Sequence, residues 1–315
     1  MNSFGDAQHP LGVELAVSAP ARFVVRLPGP VDIAASLELF RRNGDDLLDR
    51  GDGTHLVRAL RIGERGVAYA CTAAGSLTEP ALEVSIDDAA HRAAIEQATR
   101  VLFVAAPPEF ADLLQRDPVI ARLDAAYPGL RTVRQFDLLA ALVRCISAQQ
   151  VNLRWAATTR RRLAEAFGER HQVGGHEVYS LDAGRLAAAS VAEIRALQFT
   201  TRKAEYIISA AEAIASGRLT VADLEALPDD EVIARLVALR GIGRWTAEWI
   251  LARTLGRPTV VAGDLGVRKA VGLAYLGTPL PSEQAVREAT AHWGASAGVA
   301  QTLLLHGLGL DTLAT

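Results

Sequence analysis

One stretch near the C-terminal end limits what this chain can fold into more than any other. Residues 236–249 read LVALRGIGRWTAEW, in which an apolar-periodic helix meets a Gly-Ile-Gly turn and a second helix begins at once. Gly241 and Gly243 permit so tight a turn because glycine adopts positive φ and has no Cβ. Ile242, between them, is placed to fill the gap between the two helices. The stretch therefore predicts a helix-hairpin-helix.

A hairpin of this kind provides an anion site at the start of its second helix. The first N–H groups of a helix have no acceptor within the helix and lie at the positive end of its dipole. Arg244, directly after the turn, adds a cation. We therefore predict contact with a nucleic-acid phosphate, without reading of a base. A plain pair of packed helices stays open at this point, because turns with two glycines are common.

The charge of the chain is unevenly distributed. The formal net charge of the 315 residues is −3, but residues 1–112 hold 10 Arg against 16 Asp and Glu, whereas residues 113–315 have a balance of +3. The part with the hairpin is thus mildly basic, which fits a few phosphate contacts and excludes a broad cationic coat. Only two of the 33 basic residues are lysines, Lys203 and Lys269.

Composition excludes several other classes of protein. No apolar run approaches about 18 residues and the chain does not open on a basic segment before an apolar one, so we expect an intracellular protein without membrane span or secretory signal. Cys71 and Cys145 are too few for an iron–sulfur cluster, a cysteine-based zinc site or a disulfide framework. The seven histidines show no metal-ligand spacing. We therefore predict no metal site.

The two parts of the chain differ in predicted secondary structure. Residues 1–112 alternate as strands at 13–27, 55–62, 67–73 and 82–86, with helical periodicity at 32–42 and 88–104. They predict a small mixed domain with an antiparallel sheet, and nothing in it suggests catalysis. Residues 113–315 predict an all-α region of short helices in two lobes with a cleft between them. Residues 168–180, rich in His and Gly, are expected to be a surface loop. The predicted class is α+β.

Asp264 is the one carboxylate whose position invites a functional reading. An Asp directly before an apolar-periodic helix is, taken alone, an ordinary helix N-cap. It follows the hairpin, however, by one helix and one short loop. A helix of about ten residues spans about 15 Å, a suitable distance between a held phosphate and a sugar in an active site. Both readings stay open on the residues alone.

At these residues the chain resembles a known family. The run GIGRWTA at 241–247, followed by DLGVRK at 264–269, is similar to the signature of base-excision DNA glycosylases of the helix-hairpin-helix superfamily. More narrowly it resembles the bacterial 3-methyladenine DNA glycosylase II (AlkA) group. Residues 144–151 and 197–213 match further family segments, and the strand-rich start matches the N-terminal β-containing domain of the family. The resemblance covers most of the chain.

The resemblance implies a role for each residue of the signature. Asp264 is the expected catalytic carboxylate, and Trp245 and Trp249, four residues apart on one helix face, are expected to line the base pocket. Gln150 is expected to fill the space that a flipped base leaves, where family members often carry an apolar wedge. Residues expected to contact DNA are Gly241, Ile242, Gly243, Arg244, Thr246, Gln149 and Gln150. Trp155 and Trp293 are expected in the core, and the sequence after Trp293 lacks the second aromatic and the arginine of some relatives.

The implied activity is excision of alkylated bases, of the 3-methyladenine and 7-methylguanine type, from duplex DNA. Aromatic faces favour such cationic bases. Bifunctional relatives place a lysine nucleophile where this chain has Trp245, which predicts hydrolysis without lyase activity. No cofactor is required, although the family hairpin can hold a monovalent cation through backbone carbonyls. The expected partner is double-stranded DNA with damaged bases, bound by a monomer in the cytoplasm of a bacterium, at the nucleoid.

Other functions stay open at this point. One alternative is a glycosylase for hypoxanthine, uracil or 1-methyladenine. A second is a non-catalytic helix-hairpin-helix protein that only binds DNA, against which Asp264 and the paired tryptophans argue. A third, a transcriptional regulator fused to such a domain, lacks a recognisable helix-turn-helix reader in residues 1–110.

Overall fold

The computed structural model describes residues 19–41, 44–63, 65–310 and 312–313. Residues 13–18 of the first predicted strand, and Arg42 at the end of the first predicted helix, lie outside the described residues. Over the described residues, no helix combines the length and the apolar character that crossing a membrane requires.

A five-stranded antiparallel sheet forms the N-terminal part. Its strands are β1 (Ala21–Arg26), β2 (Asp49–Gly51), β3 (His55–Ile62), β4 (Arg65–Gly75) and β5 (Pro80–Ile86), in the order β1-β5-β4-β3-β2. Apolar side chains at alternate positions, such as Phe23, Val25, Leu82 and Val84, face one side of this sheet and form its core. The predicted strands and antiparallel sheet are therefore confirmed, and β2 is an addition.

Two helices cover this apolar side of the sheet. Helix α1 (Ile33–Arg41) contributes Ile33 and Leu37 to the core, and α2 (Arg92–Arg100) contributes Ile95. Helix α2 ends four residues before the prediction because Phe103 leaves the helix and forms a β-bridge with Val133.

The remaining helices lie in the region that the sequence predicts to be helical. They are α3 (Phe110–Arg116), α4 (Pro118–Ala126), α5 (Leu138–Ala148), α6 (Leu153–Phe167), α7 (Ala183–Ala187), α8 (Val191–Ala196), α9 (Thr201–Ala215), α10 (Val221–Ala226), α11 (Asp229–Val237), α12 (Arg244–Arg253), α13 (Leu265–Val271), α14 (Glu283–Thr290) and α15 (Ala297–Gly309). A π-helical turn (Gly272–Leu276) continues α13. Helices α5 to α12 share one apolar core, while α3, α4 and α13 to α15 share another. Two helical lobes result, with α12 in the first and α13 in the second.

The expectation of a surface loop at residues 168–180 is wrong. Strands β6 (Gly168–Val173) and β7 (His176–Leu181) form an antiparallel hairpin around Gly174 and Gly175, which both have positive φ. Val173 and Val178 pack with Val57 of β3 against the side of the sheet that the helices leave uncovered. The Gly-Gly pair between alternating apolar residues is a hairpin signal. The all-α expectation for residues 113–315 therefore fails at this hairpin.

A buried group of five charges ties the sheet domain to the first helical lobe. Asp46 lies 2.7 Å from Nε of Arg160 and 3.1 Å from Nη2 of Arg144. Arg144 also reaches Asp49 at 3.1 Å, and Asp49 lies 2.7 Å from Nη2 of Arg58. Burial alone would raise the pKa of the Asp46 carboxyl, but Arg144, Arg160 and hydrogen bonds outweigh it, and its pKa is below the usual value.

We expect Asp46→Ala to lower the free energy of unfolding by about 3 to 5 kcal/mol, because it leaves the buried Arg160 guanidinium without its counter-ion. Glu165→Ala, which removes the partner of Arg161 in an exposed pair, is the control and should cost no more than about 1 kcal/mol. Urea unfolding of both variants measures the difference. Similar losses in the two variants would contradict this account.

The same group predicts how stability depends on pH. A carboxyl with a lowered folded pKa stabilises the fold above its unfolded pKa of about 3.9, and this contribution is lost as the pH falls toward the folded value. When the pH is lowered below about 4, the unfolding free energy of Asp46→Ala should therefore fall less than that of the wild type.

Candidate active site

The predicted hairpin is present between α11 and α12. Gly241 has φ +85°, and a Cβ built on it would lie 2.2 Å from the ring of Tyr206. Ile242 is buried in the core of the first lobe, as predicted, and its N–H donates to the carbonyl of Leu239 at 3.1 Å. Gly243 has extended backbone at φ −100°, so only the first glycine needs positive φ. No atom lies within 4 Å of a Cβ built on Gly243, so the turn is open on that side.

The start of α12 provides the expected unpaired N–H groups. Its N-cap, Gly243, has no side chain to accept from the first turn of the helix. Arg244 is 60% exposed at this end, next to the open turn. The side chain of Thr246 is buried, so this residue can offer only its backbone to DNA. The hairpin thus presents backbone N–H groups and one arginine to the solvent.

Glu248, which the sequence reading missed, holds that arginine in place. Its Oε1 accepts from Nε of Arg244 at 2.8 Å and lies 2.7 Å from Nη2 of Arg287 on α14. The Glu248 side chain is almost fully buried, and its Oε2 has no hydrogen-bond partner among the described residues. The Arg-x-x-x-Glu spacing on one helix was the signal for this pair. Glu248 therefore connects the hairpin helix of one lobe to a helix of the other.

The two glutamines lie where α5 ends, next to the hairpin. Gln149 donates from Nε2 to the carbonyl of Gly241 at 3.2 Å, which joins this end of α5 to the turn. Gln150 is exposed and has φ +54°, unusual for a residue other than glycine. Val151 and Leu153 after it are also exposed. One exposed polar side chain, Gln150, and two exposed apolar side chains, Val151 and Leu153, thus lie beside the helix-hairpin-helix turn.

The Asp264 carboxylate accepts hydrogen bonds from two helices. Its Oδ1 accepts from the N–H groups of Gly266 at 2.8 Å and Val267 at 3.1 Å, which caps α13. Its Oδ2 accepts from Nε1 of Trp245 at 3.2 Å, which joins it to α12. The predicted helix cap is therefore confirmed, while the catalytic role of Asp264 stays a prediction. The two contacts fix the orientation of a half-buried carboxylate at the border between the lobes.

One face of α12 is turned toward this carboxylate. Trp245, Trp249 and Arg253 follow one another at intervals of four residues, and all three are half-buried. Trp249 also packs against the core of the first lobe. Burial lowers the pKa of Arg253, as does nearby Arg144, while the Asp264 carboxylate acts in the opposite direction. The predicted tryptophan pair thus continues into an arginine that the sequence reading missed.

An aliphatic side chain approaches from the second lobe. A Cβ built on Gly266 would lie 3.0 Å from Cδ2 of Leu305 on α15 and 3.1 Å from Oδ1 of Asp264. Leu305 is therefore a neighbour of the capping turn. No signal in the sequence distinguished it from the core leucines of α15.

The other two tryptophans lie away from the hairpin helix and differ from each other. Trp293 is buried, as predicted, and its Nε1 donates to Asp117 at 3.2 Å. The prediction for Trp155 is wrong, since its side chain is 38% exposed and the Arg162 guanidinium lies 5.5 Å from its ring centre. Trp155 lies in the exposed first turn of α6, so its ring does not reach a hydrophobic core.

Neither lysine belongs to the hairpin. Lys203 on α9 donates from Nζ to the carbonyl of Ser147 at 2.9 Å, and burial lowers its pKa. Lys269 lies on α13 and is exposed. In the part of the chain that the structure describes, no group of three His, Cys, Asp or Glu side chains could hold a metal ion.

Comparison with known proteins agrees with this geometry. Residues 143–295 match the model of the HhH-GPD superfamily of base excision DNA repair proteins. The putative DNA-3-methyladenine glycosylase YfjP of Bacillus subtilis is 31% identical over 168 residues, which are 53% of this chain and 58% of that protein. The DNA-3-methyladenine glycosylase of the same organism is 28% identical over 186 residues, 58% of this chain and 61% of that protein. The matches thus span about three fifths of these relatives.

A solved structure extends the likeness to the whole fold. The 3-methyladenine DNA-glycosylase from Archaeoglobus fulgidus superposes with a TM-score of 0.81 at 22% identity, and the match covers 92% of this chain and 99% of that one. At this identity the comparison shows a shared fold. The family resemblance predicted from the sequence is confirmed by the superfamily match and by the two relatives from Bacillus subtilis.

We expect Gly241→Ala to lower the free energy of unfolding by about 2 kcal/mol or more, because alanine is strained at positive φ and its Cβ would meet the Tyr206 ring. Gly243→Ala is the matched control, with extended backbone and open space, and should cost no more than about 1 kcal/mol. Thermal unfolding measures both. Equal destabilisation would show that the turn does not depend on the conformation of Gly241.

Proposed function

Because residues 143–295 match the model of the HhH-GPD superfamily of base excision DNA repair proteins, we propose that this chain is a DNA glycosylase. It hydrolyses the N-glycosidic bond of alkylated bases in duplex DNA and leaves an abasic site. The observation that carries the proposal is the hydrogen bond from Trp245 to Asp264. This bond places a carboxylate and an aromatic ring together, one helix beyond the hairpin.

The hairpin would hold the DNA while a base leaves the stack. A glycosidic bond is inaccessible inside a duplex, so the damaged nucleotide must turn out of it. The uncapped N–H groups after Gly243 suit a phosphate oxygen, and Arg244 can add a charge-assisted contact. Gln150 and the exposed Val151 stand beside the hairpin, where they could enter the vacated space.

Asp264 would act on the sugar once the base is in the pocket. The bond between C1′ and the base nitrogen breaks with its electron pair going to the base, so positive charge develops on the sugar. A carboxylate that is already oriented stabilises this charge at no cost of reorganisation. Water then bonds to C1′, and its proton passes to Asp264 or to solvent. Among the described residues, the Oδ2 atom accepts only from the Trp245 indole, so it is the oxygen that can face the sugar.

The tryptophans favour a cationic base. Trp245 and Trp249 lie half-buried on one helix face, and an indole ring attracts a cation above it by about 0.5 to 2 kcal/mol. Purines methylated at N3 or N7 carry such a charge, and their glycosidic bonds are already weakened. The proposed substrates are therefore of the 3-methyladenine and 7-methylguanine type.

A monovalent cation at the hairpin stays a proposal. Backbone carbonyl oxygens of the turn are hard, neutral ligands that suit such an ion. The Gly241 carbonyl already accepts from Gln149 and the Leu239 carbonyl from Ile242, so these oxygens point in fixed directions. The ion would support the turn and takes no part in the reaction. We further propose that the protein acts as a monomer on DNA in the cytoplasm.

Asp264→Asn tests the proposed reaction. Asparagine caps a helix about as well as aspartate, so stability should change by less than about 1 kcal/mol. The loss of the negative charge should lower release of 7-methylguanine from methylated duplex DNA at least 100-fold under single turnover, the scale of a lost electrostatic contact. Wild-type protein that binds lesion-bearing duplexes but releases no base would favour a non-catalytic binding protein. A fully active variant would remove Asp264 from the mechanism.

Hydrolysis without lyase activity has its own test. A lyase needs an amine that forms a Schiff base at C1′, and the hairpin position used for it carries Trp245 here, while Lys203 is bonded to a backbone carbonyl on α5. Borohydride should therefore trap no covalent adduct between the protein and a substrate duplex. Trp245→Lys is the informative counterpart, since it would place an amine at that position. A trapped adduct with the wild type would contradict the proposal.

A further inference from the structure

We infer that Arg253 contacts the flipped base and determines which bases the site releases. The inference rests on the proposed function, because it assigns a second recognition element to the same pocket. It concerns the chemical class of the leaving base, neutral or cationic, which the tryptophans alone do not decide.

The placement of Arg253 puts it at the inner end of the pocket face. It lies four residues beyond Trp249 and eight beyond Trp245, on the last turn of α12. Because 3.6 residues complete a helical turn, positions four apart stay on one side of the helix. Trp245 donates to Asp264, so this side is turned toward the carboxylate. A base lying along the two indole rings would therefore extend toward Arg253.

The half-buried Arg253 also differs from the buried arginines Arg131 and Arg160 in having no acceptor among the described residues. Arg160 bonds to the Asp46 carboxylate, and the Arg131 guanidinium donates to the Leu130 carbonyl. The Arg253 side chain makes no hydrogen bond to any residue that the structure describes, although Asp264 lies near enough to affect its pKa. A guanidinium carries five N–H donors, and those of Arg253 are not fully buried, so they are available to an acceptor that enters the site. A purine has acceptors at N3, N7 and, in guanine and hypoxanthine, O6, which these donors can pair.

The positive charge of Arg253 makes this contact favour one class of leaving base over the other. Arginine stays protonated in proteins even where burial lowers its pKa. A neutral base leaves with the electron pair of the C1′–N bond and becomes an anion, which a guanidinium stabilises. A base methylated at N3 or N7 leaves as a neutral molecule and is a cation before that, so the guanidinium repels it in the bound state. Arg253 therefore favours release of neutral purines, against the preference of the tryptophans.

Arg253→Met tests the inference, because methionine keeps an unbranched apolar stem and removes the donors and charge. Single-turnover release of hypoxanthine, a neutral purine, and of 7-methylguanine, a cationic one, is measured on the same duplex sequence. We expect hypoxanthine release to fall at least tenfold, while 7-methylguanine release stays the same or rises. Arg116→Met, at the exposed end of α3, is the control and should change neither rate. Arg253→Lys, which keeps the charge but loses the planar donors, should lie between wild type and Arg253→Met.

Other results separate a structural role from this one. An equal fall of both rates in Arg253→Met, with a lower midpoint of thermal unfolding, would make Arg253 a structural residue and overturn the inference. Unchanged hypoxanthine release would overturn it as well. Wild-type protein that releases 7-methylguanine but no hypoxanthine would refute the inference and leave the proposed function standing. Wild-type protein that releases no base of either kind would refute the proposed function.

Discussion

The site depends on one carboxylate that is shared between two helices. Asp264 gives one oxygen to the backbone of α13 and the other to the indole of Trp245 on α12. Because these helices belong to different lobes, a residue that is locally an N-cap also fixes how the pocket face of α12 meets the second lobe. The carboxylate is oriented before any substrate arrives, which is the condition for electrostatic stabilisation to cost little during the reaction.

The charges around this carboxylate have separate tasks. Arg253, at the C-terminal end of the tryptophan face, has no acceptor in the part of the chain that the structure describes, whereas Arg244 at the N-terminal end is held by the buried Glu248. Glu248 also reaches Arg287 of α14, so the hairpin helix is linked to the second lobe through Glu248 as well as through Trp245. One face of α12 thus combines aromatic rings, which attract cations, with a guanidinium, which attracts anions. Under the proposed function, the balance between them is a physical basis for the range of bases that the site would release.

The N-terminal domain supports the site from a distance. Helices α1 and α2 cover one side of its sheet, and the β6–β7 hairpin of the helical region packs on the other side. Both sides of the sheet are therefore covered. The buried group around Asp46 and Arg144 then joins the sheet domain to α5, the helix that ends at Gln149 beside the turn. Five buried charges are stable only when they are mutually paired, which requires a fixed relation between the two parts.

The sequence alone determined the helix-hairpin-helix, the order of the helices and the position of Asp264, because glycine geometry, apolar periodicity and capping residues act over a few residues. Only the tertiary structure decided that the hairpin at residues 168–181 packs on the N-terminal sheet, that Trp155 is exposed, and that Glu248, Arg253 and Leu305 adjoin the site. These facts depend on contacts between distant parts of the chain. Val178 packs against β3, Glu248 pairs with Arg287, and Leu305 lies against the turn that Asp264 caps. Such contacts have no local signature, because the partners lie tens of residues apart. The pattern within α12 or α15 does not distinguish these apolar and charged residues from the others on the same helix.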